Sequence, residues 1–510
     1  MPQLAKKTVL IVSPCPTHPT TAGNRRRVYE VCNKFKSSGY RVHFLWFAID
    51  SGGMIHPSNM QQMRDEWDLV HVVNAETALN VGAIDQSSLD IDRFWSDQIH
   101  YAIDWLQGQF DYDVLWVNYV FYSKAFECLA DTKSIGVLDT HDALSLRPTA
   151  PLPRPALCVE RSGELEAFSR ADVILSIQDE ERAYFQNDCP KPVLTLSHMV
   201  RPNIVRQECR GTNTLENEPV RIGLIGSNYP ASVKATQLFL ASLGKHTRID
   251  EFKFKLCLAG PQCAALQIPI PLVPHTTVLG TVDDLASFYS QIDLLVNPVE
   301  EGTGLKIKTV EALSFDCPVI GTKEAFKGIQ TPEVWHALST AEQCSGAVME
   351  LLAKPAQLSP LHKACSKIFA VYMEKVEKEW EAVLSFVSTL RAKKRDVGRY
   401  TGAGDFQAFE KVYIYGAGSG MFALLSELSD DEKPKIEAFI DQAKAGQIHT
   451  GIPIVHLKNV SLNPSESRKT AVIITVLSPE WKSIYDDLSK AGFVSILPAH
   501  QYLMQNRLVS

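Results

Sequence analysis

The sequence lacks several features that announce a function. It contains no apolar run of the roughly 18 residues a membrane helix needs, which excludes an ordinary helical span. Its 11 cysteines are odd in number and scattered, with no Cys-x-x-Cys pair. No zinc-knuckle spacing or disulfide framework is written in them, and inert thiols in a reducing cytosol are expected. Basic residues are in the minority, 51 Lys and Arg against 58 Asp and Glu, for a net charge of −7. That balance argues against a broad nucleic-acid surface. The apolar stretch after Lys6-Lys7 spans only about five residues, too short for a secretory h-region, and reads as a first strand.

What is present is ordinary for globular α/β protein: 45% hydrophobic and 21% charged residues over 510 positions. About three domains fit that length. Thr8–Val12, a loop rich in Pro, Thr and Gly, a helical pattern over 24–38 and a strand over 40–47 make a β-α-β opening. Further strands are expected at 112–118, 136–142 and 171–178. The polar stretch 203–219 has no apolar periodicity and reads as a linker. A second run of strands and helices follows, beginning at Val220. Residues 361–393 place Phe369, Tyr372, Val376, Trp380 and Val383 at helical spacing. A charged, glycine-containing break at 393–404 precedes a third α/β unit.

The densest chemistry lies at 293–322. Asp293-Leu294-Leu295-Val296 reads as a buried parallel strand. Gly302-Thr303-Gly304 then forms a loop able to bring N–H groups close to a ligand. A helix is expected from about Leu305, and its N-terminus suits a phosphate. Lys308 and Glu311 are three apart and share a helix face. That pair suits a nucleotide diphosphate, with Lys308 on a phosphate and Glu311 on the ribose hydroxyls. Pro318-Val319-Ile320 begins the next strand. Elsewhere, Asp139-Thr140-His141-Asp142 closes a strand at the mouth of the first sheet, where open α/β sheets hold ligands. Arg25, Arg26 and Arg27 follow Gly23-Asn24. They read either as solvated helix-start residues or as partners of an anionic ligand.

The segment Gly302-Thr303-Gly304-Leu305-Lys306-Ile307-Lys308-Thr309-Val310-Glu311-Ala312, with its flanking strands, resembles the donor site of GT-B glycosyltransferases of family four, group 1. The resemblance covers roughly residues 8–385. It implies an α/β chain of GT-B fold, two Rossmann-like lobes facing a cleft, plus a third small Rossmann-like domain. The expected boundaries are 1–202 for the acceptor-side lobe, 203–395 for the donor-side lobe with final helices crossing back, and 405–510 for the accessory domain. It also implies retaining transfer of a sugar from a nucleotide sugar, UDP or GDP first, to a glycan, lipid-linked or other hydroxyl acceptor. No metal or cofactor is required on this reading, and no Asp-x-Asp metal motif lies beside the site.

Residue by residue, His141, Lys308 and Glu311 are the expected catalytic set. Gly23, Asn24, Gly226, Ser227, Asn228, Glu301, Gly302, Thr303 and Gly304 join Lys308 and Glu311 at the donor. Asp142 and Arg147 are weaker candidates, as is Lys234 for the diphosphate. Many family members carry a glutamate eight residues before the second one; here that position is Thr303, and Glu300 or Glu301 is left to replace it. In the third unit, Gly416, Gly418, Gly420 and Asp441 approach a dinucleotide fingerprint. Met421 occupies the place of the third glycine, and a structural, oligomerising or ligand-sensing module is the competing reading. The expected location is cytoplasmic, any membrane contact being peripheral, at the inner face. Self-association would run through the C-terminal unit. Three rivals accompany this reading: a nucleotide-sugar epimerase or hydrolase of the same fold, a non-catalytic sugar-nucleotide scaffold, and a dehydrogenase built on 411–441.

Overall fold

A computed structural model describes residues 6–20, 22–47, 56–73, 90–129, 132–147, 159–203, 218–282, 284–393, 406, 408–476 and 481–499. Most of the linker read at 203–219 and of the charged break at 393–404 lies outside them, as does Asp283 of the expected helix start at 282–285.

The first sheet contains β1 (Thr8–Ser13), β2 (Arg41–Phe47), β3 (Leu69–Val73), β4 (Val114–Asn118), β5 (Ile135–Asp139), β6 (Val173–Ser176) and β7 (Val193–Thr195). Their order is β3-β2-β1-β4-β5-β6-β7, with parallel pairing throughout. The continuous apolar runs are explained by burial on both faces. Val9 and Ile11 enter one hydrophobic cluster, while Leu10 and Val12 enter another on the opposite face. The strand order reverses between β1 and β4, so the crevice outside their carboxyl ends is the natural ligand position.

A second parallel sheet has the order β10-β9-β8-β11-β12. Its strands are β8 (Val220–Ile225), β9 (Phe254–Ala259), β10 (Thr276–Gly280), β11 (Leu294–Asn297) and β12 (Val319–Gly321). The third sheet runs β15-β16-β14-β13-β17-β18, from β13 (Lys411–Tyr415), β14 (Ile436–Ile440), β15 (Ile448–His449), β16 (Ile452–Val455), β17 (Thr470–Ile474) and β18 (Ser495–Pro498). Among the described residues, only its β15–β16 pairing is antiparallel. This unit has its own two apolar clusters, centred on Ile414, Phe439 and Ile473 and on Val472, Ile474 and Phe493.

The helix Leu358–Lys393 has 36 residues, about 54 Å at the usual rise. It is rooted in the second lobe, where Ser366 Oγ donates to Asp316 Oδ1 at 2.7 Å. It then runs along the first lobe. Tyr372 donates its hydroxyl to the His198 carbonyl at 2.7 Å, and Trp380 Nε1 donates to Ser38 Oγ at 3.0 Å. Trp380 also packs edge-on against Phe35, 4.9 Å between ring centroids. Among the described residues no helix is long and apolar enough to cross a membrane.

Candidate active site

The glycine loop after β11 is held from inside. Lys306 Nζ donates to the carbonyls of Gly302, Thr303 and Gly304 at 3.1–3.3 Å and pairs with Glu324 at 2.8 Å. In a planar trans peptide the N–H points away from its carbonyl. The N–H groups of Thr303, Gly304 and Leu305 therefore face away from Lys306, and none of them bonds to a backbone oxygen among the described residues. Gly302 and Gly304 have φ of 131° and 71°, left-handed values that favour glycine. The helix begins slightly later than the sequence suggests, at Ile307, and ends at Ser314. Thr309 knits it to the sheet, donating to the Ala325 carbonyl and accepting from Asn297 Nδ2.

Lys308 and Glu311 meet across one turn, Nζ to Oε1 at 3.0 Å. Tyr289, itself buried, donates its hydroxyl to the same oxygen at 3.0 Å. Glu311 is almost buried, and its position is fixed from two sides.

Facing this helix is the strand-end cluster of the first lobe. Arg27 is neither a solvated helix-start residue nor a ligand partner. It is buried and forked onto buried Asp139, Nη2 to Oδ1 at 2.8 Å and Nε to Oδ2 at 3.0 Å. Burial alone would raise the Asp139 pKa, but the Arg27 charge outweighs it and holds the carboxyl below its ordinary value. Arg27 also donates to the carbonyls of Leu196 and Ser197, and Asp139 accepts from the His141 N–H at 3.4 Å. One buried ion pair thus fixes the backbone beside two histidines.

His141 sits at φ 63°, a strained position for a non-glycine residue. Its ring stacks on Tyr119, centroids 4.0 Å apart. Nε2 lies 2.8 Å from Asn118 Oδ1, and Asn118 Nδ2 donates to the Val12 carbonyl. That amide orientation makes Nε2 the protonated nitrogen. Burial, reinforced by Arg27 and only partly opposed by Asp139, lowers the imidazole pKa to about 4. His141 is neutral at neutral pH.

The lobes touch at four of the predicted residues. Thr303 Oγ1 donates to Asp142 Oδ2 at 2.8 Å, and a Cβ on Gly304 would lie 2.9 Å from Asp142 Oδ1. Arg147 pairs with Asp142 at 2.6 Å. A Cβ on Gly23 would stand 2.8 Å from Ile307 Cδ1, so this glycine permits lobe-to-lobe packing. Asn24 turns back on its own loop, bonding Cys15 Sγ and the Arg25 N–H. Gly226 packs against Gln262 and Gly260, while Ser227 and Asn228 are exposed. Glu300 is engaged by the Ala341 N–H at a helix start (2.7 Å), and Glu301 by Lys234 at an exposed 3.2 Å pair. In the third unit Asp441 accepts from the Ala417, Ala443 and Lys444 N–H groups, so its carboxylate serves the turn itself. Gly416 takes φ 95°, Gly418 has open space, and Gly420 lies against the Thr475 carbonyl.

Two residues of this region escape sequence reading. Glu181 is buried, and burial followed by the Asp142 charge pushes its carboxyl up to about 8. His198 is fully buried, yet neither ring nitrogen has a hydrogen-bond partner among the described residues. Burial, then Arg27 and Arg26, keeps it neutral; His141 and Lys308 lie within electrostatic reach. It lines a small pocket between the lobes with Arg26, Glu30, Arg201 and Glu311.

Comparison with known proteins agrees with this geometry. Residues 219–354 match the family model described as glycosyl transferases group 1. No curated protein matches the sequence. Among solved structures, a point mutant of S. aureus TarM with fondaparinux, α-GlcNAc-glycerol and UDP aligns at TM-score 0.52 and 8% identity, covering 74% of this chain and 99% of that one. Anabaena Alr3699/HepE with UDP aligns at 0.51 and 13%, covering 75% and 100%. The N-terminal domain of Candida albicans trehalose-6-phosphate phosphatase aligns at 0.54 and 9%, covering 76% and 98%. Paired parallel sheets with a cleft between them define a protein of GT-B fold. The chain is a glycosyltransferase, and over residues 219–354 its second lobe is similar to the group 1 glycosyl transferases.

Proposed function

We propose that this glycosyltransferase moves a sugar, with retention, from a nucleotide sugar to a hydroxyl of a glycan or lipid-linked acceptor. The observation that carries the reading is the Lys308–Glu311 pair, set one helix turn beyond a glycine loop whose Thr303 reaches Asp142 of the facing lobe. Tyr289 and Lys308 both use Oε1 of Glu311, which leaves Oε2 for the ribose hydroxyls. Lys308 and the loop N–H groups take the diphosphate. They are fixed before reaction, so they stabilise charge growing on the leaving group without reorganising. Neutral His141 presents its imidazole to the donor sugar. Exposed Ser227 and Asn228 flank the diphosphate side. UDP is the first nucleotide to test, since TarM and Alr3699/HepE hold it. The acceptor binds residues 1–202, the donor residues 203–395, and residues 405–510 serve assembly or ligand sensing. Any membrane contact is peripheral and follows the acceptor.

A second reading, donor hydrolysis or epimerisation, draws on one observation. Thr303 stands where relatives carry a sugar-facing glutamate, and its hydroxyl is committed to Asp142. Acceptor-independent turnover of the donor would favour it.

The test is a calorimetric titration with UDP, GDP, ADP and TDP, then their sugars, repeated on Glu311→Ala. A hydrogen bond to a charged group contributes about 1.5–3 kcal/mol, so affinity should fall more than tenfold. Unchanged affinity removes Glu311 from the site, and no binding of any nucleotide removes the donor reading.

A further inference from the structure

A second polar cluster lies in the first lobe, on elements that contribute nothing to the donor site. His100 and Asp104 are four apart on the helix Asp97–Gln109 and project from the same face. Opposite them is Cys128, near the end of the segment Val120–Leu129. Cys128 Sγ lies 3.4 Å from His100 Nδ1, and His100 Nε2 lies 3.1 Å from Asp104 Oδ2. Cys128 and Asp104 are buried, and one ligand atom from each of the three falls within 4.8 Å of the others.

We propose that His100, Asp104 and Cys128 bind one Zn²⁺ ion. The donor set is one imidazole nitrogen, one carboxylate oxygen and one thiolate, which suits a borderline-soft divalent ion better than Mg²⁺ or Ca²⁺. Zinc bonds of about 2.3 Å to sulfur and about 2.05 Å to nitrogen make a tetrahedral edge of about 3.5 Å. The 3.4 Å sulfur–nitrogen separation already has that length. The imidazole shows a different nitrogen to each neighbour, and the ion takes one of them.

Charge favours a cation over an activated thiolate. Asp104 lies against the imidazole, and Glu127 and Asp97 are within electrostatic reach of it, so the cluster sits in a field of negative charge. A bare thiolate beside these carboxylates is electrostatically unfavourable. A divalent ion removes that conflict and draws the thiol proton off to solvent. The consequence is mechanical. The ion would fasten the 97–109 helix to a segment that starts beside Tyr119, the ring on which His141 stacks.

The test uses the full chain, stripped with chelator, desalted and titrated with Co²⁺ and Zn²⁺ alone. One equivalent should bind, Co²⁺ giving a thiolate charge-transfer absorption that Zn²⁺ abolishes. Cys128→Ser should remove that absorption. Asp104→Asn should weaken binding by more than the roughly 10–100-fold lost when only a supporting partner of a ligand is removed. In the unmutated chain one equivalent of Zn²⁺ should shield Cys128 from iodoacetamide, read by peptide mass spectrometry, whatever the folding of the variants. Failure to bind near one equivalent overturns the site. So does absorption that survives Cys128→Ser, or alkylation of Cys128 at one rate with and without zinc.

Discussion

Raising the pH should destabilise this protein through one carboxyl, that of Glu181. The side chain is buried against Asp142, and burial followed by that charge moves its pKa from 4.5 to about 8. The folded chain therefore keeps a proton that the unfolded chain releases. The associated stability is fully present below pH 4.5 and is lost as pH rises through about 8. Within that window the slope is about 1.4 kcal/mol per pH unit, and its full span amounts to about 5 kcal/mol. Glu181→Gln keeps the shape and removes the proton. Urea unfolding of both proteins at pH 5, 7 and 9 is the assay. The glutamine variant should gain on the wild type by several kcal/mol between pH 5 and pH 9. Because Asp142 also accepts from Thr303, the loss should reach the seam between the lobes. Parallel stability–pH curves for the two proteins would refute the assignment of a retained proton to Glu181.

Two further outcomes are expected. His141→Ala should lower turnover more than nucleotide affinity if, as proposed, the ring faces the sugar; steady-state rates and a UDP titration separate the two, and wild-type turnover rejects the role. Gly304→Ala meets both a left-handed φ of 71° and an Asp142 oxygen 2.9 Å from the new Cβ. It should cost at least about 1–2 kcal/mol in denaturant unfolding and weaken nucleotide binding, and unchanged stability contradicts the tight approach.

The parts legible in sequence are those with local signatures. Apolar runs such as Val9–Val12 and Leu294–Val296 announce strands buried on both faces, and the glycines at 302 and 304 announce the turn between strand and helix. The spacing of Lys308 and Glu311 announces their pairing. What stays hidden depends on partners far away in the chain. Arg27 looks like a surface charge at a helix start until Asp139, 112 positions later, is folded onto it. Glu181 looks like a first-turn helix carboxylate until Asp142 approaches it. Thr303 shows only the absence of a glutamate, and its hydrogen bond crosses between lobes. His198 carries no motif; its significance is burial without a hydrogen-bond partner among the described residues, which only the fold reveals.

The long helix after residue 358 also sets the mechanics of the cleft. It is anchored to the second lobe through Ser366 and to the first through Tyr372, six residues and about 9 Å apart along its axis. Any swing of one lobe against the other that leaves both bonds intact must be absorbed in that short span. The fulcrum then lies beside His198, whose carbonyl holds Tyr372. Opening of the lobes about that point has to part the Thr303–Asp142 hydrogen bond, which spans the two.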